Sequence, residues 1–68
     1  MNRINELNMV ALLKVMPEHN LSKGQVGTVV EKLNAKTYEI EFTNSKGETL
    51  ITTPVASKDL ILLHFELA

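Results

Sequence analysis

"LSKGQVGTVVEKLNAKTYEIEF", residues 21–42, decides the fold. Its last six residues alternate strictly, with Tyr38, Ile40 and Phe42 set between Thr37, Glu39 and Glu41. A period of two belongs to a strand with one face buried and the other in water. Ahead of it, "QVGTVVEKL" reads as a second strand, and the polar "NAK" as the turn that joins the pair. The two glycines lie three apart and open a strand, with no Gly-Lys-Ser/Thr run behind them and no helix to aim their amides at a phosphate. The spacing therefore predicts a corner, in which Gly24 supplies a positive φ and Gly27 lets a bent strand pass close to its neighbour.

Outward from this stretch the chain supplies three more strands. "MVALLKVMP", residues 9–17, is a β-compatible run with Val10 and Leu12 pointing one way and Met9, Ala11, Leu13 and Val15 the other, and Pro17 is expected to end it. The polar loop "EHNLSKG" carries one apolar residue, Leu21, expected to plug the core. "TNSKGE" has hairpin-turn chemistry. "TLITTPV" returns as a strand that Pro54 confines to an edge or breaks. "ASKDL" predicts a single 3-10 turn with Ser57 as its N-cap, and "ILLHF" a last strand. The lead, residues 1–8, offers Ile4 and Leu7 to close one end of the core. The expected architecture is all-β: a small SH3-like five-stranded antiparallel barrel with one short 3-10 turn before the last strand, a single domain over 1–68 with its core in 9–65.

Composition narrows the function classes. The chain has 68 residues, no cysteine and a net charge of -1. A domain this short buries only a modest fraction of its surface, and without disulfides or Cys-ligated zinc it must hold together by packing or association. Seven scattered basic residues make no field for a phosphate backbone. No apolar run approaches the roughly 18 residues that cross a bilayer, and the N-terminus lacks signal architecture. The expectation is a soluble, cytoplasmic protein without a membrane partner.

The residues "KGQVGTVVEKL", "YEIEF", "KGET" and "ASKDLILL" together resemble the KOW-like branch of SH3-like barrels. More closely, the chain looks like an uncharacterised bacterial family of short stand-alone barrels, a domain of unknown function, in which "GxxGTVV", a "YEVEF"-type strand and an "ASDL"-type ending recur. The resemblance implies a non-catalytic module, sometimes encoded beside a second small protein as a toxin and antitoxin pair. It also implies a loop contact to RNA or the ribosome in the KOW manner, for which His19, Lys23, Gly24 and Gly27 are the candidate residues. That alternative wants clustered cations and aromatic stacking platforms, and the chain keeps the loop without the basic surface, so nucleic acid is not favoured.

Other chemistry finds little support. His19 and His64 stand alone as metal ligands and are expected to be solvated. Glu31, Glu39 and Glu41 fall on an outer face as an acidic strip suited to a basic partner rather than to acid–base work. Ser22, Ser45 and Ser57 fall in turns. No catalytic residue, cofactor or metal site is expected.

The anomaly is apolar supply, at 44% of the chain. The first and last strands are apolar on both faces, where a monomeric barrel needs only one. Met9, Leu13, Leu60, Leu62 and Leu67 are the expected exposed patch, and a protein partner or self-association the expected reason for it.

Overall fold

The computed structural model describes residues 4–63. Five strands run in order: β1 (Met9–Leu12), β2 (Val26–Asn34), β3 (Thr37–Thr43), β4 (Thr49–Ala56) and β5 (Leu60–Leu62). All pairings are antiparallel, in one sheet with the spatial order β4-β3-β2-β1-β5. β1 to β4 form a meander, and β5 returns to the free side of β1. The sheet is open, since β4 and β5 are its two edges, yet it curls into a barrel-like shell: Val55 of β4 and Leu60 of β5 enter one cluster with residues of the three central strands. Past the last β3–β4 pair the ladder continues by one bond, the Ser57 amide donating to the Lys36 carbonyl at 2.7 Å.

The alternation read in β3 is the spine of the core. Tyr38, Ile40 and Phe42 are buried, and with Val10, Leu12, Met16, Leu21, Val29, Val55 and Leu60 they fill the concave face. Leu21 plugs the core as expected. Gly27 sits in an inner row between Val10 and Phe42. A Cβ there would stand 2.6 Å from Ile40 Cγ2 and 2.9 Å from both the Glu41 carbonyl oxygen and Phe42 Cδ1. Hydrogen at that position is what lets the aromatic ring cross β2. Gly24, at φ +87°, turns the chain into β2, and its amide donates to the Leu12 carbonyl at 2.7 Å.

Several local expectations are corrected. β1 stops at Leu12, well before Pro17, and Pro17 begins a 3-10 turn, Pro17–His19, that a Met16–Leu21 bridge closes. Proline's fixed φ suits the first position of such a turn, where no amide is needed. The second 3-10 turn, Ser57–Asp59, precedes β5 as expected, but Ala56 occupies the cap position and no side chain caps it. In the lead, Ile4 packs against the core while Leu7 is thrown outward at 79% exposure. A turn over residues 5–8 causes this: the Asn8 amide donates to the Asn5 carbonyl, the Asn5 amide to Asn8 Oδ1, and Leu7 takes φ 70°. β5 spans only Leu60–Leu62; Leu63 follows it outside the strand with its amide donating to the Met9 carbonyl at 3.0 Å, and His64 and Phe65 of the expected last strand lie outside the described residues.

β2 carries two register shifts, one between Val29 and Glu31 and one between Lys32 and Asn34. Each extra residue exchanges the faces of everything after it. Before the first bulge Gly27 and Val29 face inward; beyond it Glu31 lies opposite Glu39 on the outer face, and Lys32 opposite the inward Tyr38.

Candidate functional site

Residues directly opposite on paired strands share a face, so the register defines the outer surface. Ala11 pairs with Val26 on one side and Ile61 on the other, which sets Val26, Ala11 and Ile61 in one row across β2, β1 and β5. Met9 stands one step along on β1 and Leu13 continues past the strand's end, where its amide donates to the Asp59 carbonyl at 2.8 Å. Met9, Leu13, Val26 and Ile61 are all exposed, Ile61 at 48%; small Ala11 is sealed between its larger neighbours. Leu7 extends the surface, because its amide donates to the Val29 carbonyl and so carries the β1 line onward beside Val30, also exposed.

Of the five residues expected in this patch, Met9 and Leu13 are there. Leu60 is not, being 6% exposed and part of the core, and Leu62 is half-buried against that core; Leu67 lies outside the described residues. The reason is parity. "LILL" is apolar throughout, so its own pattern gives no face, and pairing with β1 sends Leu60 and Leu62 inward beside Leu12 and Val10 while Ile61 turns out. Val26, Val30 and Leu7 were missed because the faces of β2 were not assigned and only a turn brings Leu7 outside. A signal existed for Val26 alone, as the residue one step from an inward Gly27.

The first loop is divided rather than gathered. Lys23 is exposed, but Gly27 is buried in the barrel wall and Gly24 serves the turn. His19 is half-buried rather than solvated, with Nε2 3.3 Å from the hydroxyl of buried Thr53 on β4. Lys14 pairs with Asp59 at 3.2 Å. The expected acidic strip exists on the outer face of β2 and β3, where Glu31 faces Glu39 directly, Glu41 accepts a 2.6 Å bond from the Thr49 hydroxyl, and Glu39 Oε1 is buried without a partner.

Among the described residues no three His, Cys, Asp or Glu side chains gather as metal ligands, and no helix is long and apolar enough to cross a membrane. Compared with family models, residues 6–62 match the one described as Domain of unknown function (DUF4926). No curated protein and no solved structure matches the chain.

Proposed function

The chain belongs to the family described as Domain of unknown function (DUF4926), and from that premise we propose that it is a non-catalytic protein-interaction module. The observation that carries this reading is the apolar row Val26–Ala11–Ile61, flanked by Met9 and Leu13, on the solvent side of the sheet. Exposed apolar patches that run across several strands mark protein contacts more often than scattered single residues do. The Glu31, Glu39 and Glu41 strip beside it gives the partner's rim a sign, which is basic. The strand order, with β5 returning beside β1, supports an SH3-like reading of the fold. The resemblance to short bacterial barrels supports an accessory or antitoxin-like role in the cytoplasm, on a partner encoded nearby.

The test is capture of partners from native lysate by the tagged chain, with and without nuclease, for the unaltered protein, Ile61→Asp and Lys23→Glu. A stoichiometric protein that survives nuclease, tolerates high salt and is lost with Ile61→Asp supports the proposal. Recovery of RNA or ribosomes that nuclease or salt abolishes, and that Lys23→Glu weakens, replaces it with the KOW-like alternative. Light scattering on the untagged chain separates a foreign partner from a second copy.

A further inference from the structure

The inner face holds a feature that the outer-face reading does not use. Where the open sheet fails to close, between the N-terminal lead, the far half of β2, the start of β3 and β5, lies a cleft of about 680 Å³. That volume falls within the range of small-molecule sites. Its apolar lining is Ile4, Leu60, Leu62 and the edge of Ile61, and its polar lining is Asn5, Lys32, Tyr38 and Ser57.

Lys32 is the one charged residue among those that line it. It reaches the concave side only because of the bulge at Val30: unbroken alternation would place residue 32 with the outward set, and the extra residue turns it inward opposite Tyr38. Bulges commonly re-aim a side chain at a site. Tyr38 is 7% exposed, and among the described residues its hydroxyl makes no hydrogen bond, nor is it sealed as an unpartnered buried atom. The residue lines the cleft. Ser57 adds a second hydroxyl and also borders an adjoining hollow lined by Lys36 and Lys58.

We propose that this cleft binds an aliphatic carboxylate, its chain against Ile4, Leu60 and Leu62 and its carboxylate taken by the Lys32 ammonium with the Tyr38 and Ser57 hydroxyls. The lone lysine gives the ligand's sign, and the leucine wall its apolar body. The same chemistry comes from two sources: a free short-chain acid, or the C-terminal carboxylate of an apolar peptide. This site shares Ile61 with the outer row but places its charge on the inner face, so Lys32→Gln tests it without touching the outer-face reading.

The experiment is a titration of the ¹⁵N-labelled chain with hexanoate, with hexylammonium, and with the peptide acetyl-Ala-Leu-Leu as free acid and as amide. Saturable amide shifts confined to residues around Tyr38, Ser57 and Leu60, with hexanoate or the free-acid peptide, support the site, and the stronger binder identifies the source. Lys32 is exposed, so Lys32→Gln keeps the fold; it is expected to weaken binding about tenfold or more, as loss of a charge-assisted hydrogen bond does. Tyr38→Phe is expected to weaken it less, and Lys46→Gln, on the far hairpin, to leave it unchanged. Equal binding of hexylammonium or the amide, undiminished binding by Lys32→Gln, or no saturable shift with any probe overturns the proposal.

Discussion

Replacing Gly27 by alanine is the sharpest test of the fold, because the same substitution at Gly24 provides a matched control. At Gly27 the backbone angles are ordinary and the obstacle is space: the new methyl meets Ile40 Cγ2 at 2.6 Å, Phe42 Cδ1 at 2.9 Å and, at the same 2.9 Å, the Glu41 carbonyl oxygen. Side chains can yield, but that carbonyl belongs to β3, which is hydrogen-bonded to β2 at this point. Relief requires the two central strands to part or Phe42 to leave the core, and overpacking of this kind costs about 3 kcal/mol, the upper end of its usual range. At Gly24 nothing lies within 4 Å and the obstacle is conformational, φ +87°. A left-handed alanine costs roughly 1–2 kcal/mol, less the ~0.4–1 kcal/mol by which alanine restricts the unfolded chain. A domain of this length has roughly 3–10 kcal/mol in total. The gain from restricting the unfolded chain is common to both variants and cancels between them, so Gly27→Ala, at a net cost of about 2 kcal/mol or more, should remove a fifth or more of the stability and melt about 4–16 °C below Gly24→Ala at ~4–8 °C per kcal/mol. Thermal and urea unfolding by circular dichroism read both. If the two variants melt within a few degrees of each other, the inner row of Val10, Gly27 and Phe42 is wrong.

Other substitutions divide the surface into what holds the fold and what does not. Leu7→Gly relieves a left-handed leucine that buries almost nothing, so it should raise stability, by up to about 1 kcal/mol in urea unfolding after glycine's own entropy is deducted; the same variant should capture less of an apolar partner. Asn44→Ala should cost about 1 kcal/mol and speed unfolding, since Asn44 Oδ1 accepts the Lys46 and Glu48 amides at 2.8 and 3.0 Å and its Nδ2 donates to Glu48 Oε1. Lys14→Gln should change stability by less than about 1 kcal/mol, because its pair with Asp59 is half exposed, and the difference should vanish in molar salt. Glu31→Thr should raise the melting temperature in low salt by removing a like charge directly opposite Glu39, a pair worth roughly 0.2–1 kcal/mol.

What the sequence makes legible follows from where its code is local. Tyr38, Ile40 and Phe42 announce their strand because polar residues separate them, and Pro54 on an edge strand and Gly24 at positive φ follow from single-residue stereochemistry. The faces of "MVALL" and "LILL" are not local information. Both runs are apolar on every residue, and only their mutual register, Val10 with Leu62 and Leu12 with Leu60, assigns Leu60 to the core and Ile61 to solvent. The bulge at Val30 is equally hidden, since the doubled valine of "TVVEK" does not say which of the two faces inward; it is what carries Lys32 from the outer to the inner face. Met9 and Leu13 could be named because a first strand apolar on both faces must leave one of its two alternating sets outside. The rest of the outer patch needed the sheet.

The distribution of irregularities bears on function. On the concave side the local rules agree with one another: glycine where no side chain fits, aromatics where the curl leaves volume, one buried threonine matched by a histidine nitrogen. On the convex side they are broken repeatedly. A leucine is held at φ 70° in solvent, two glutamates face each other across β2 and β3, a carboxylate oxygen is enclosed without a donor, and Val26 and Ile61 bracket Ala11 in the open. Each costs a small domain stability that a Gly, Thr or Ser at the same position would return, and sequences that satisfy their folds elsewhere violate them where something other than folding is selected. These violations lie on a convex wall. The proposed contact would account for them: a partner that covers Met9, Leu13, Val26 and Ile61 and brings a cation to Glu39 would turn the exposed apolar row and the facing carboxylates into a gain on binding.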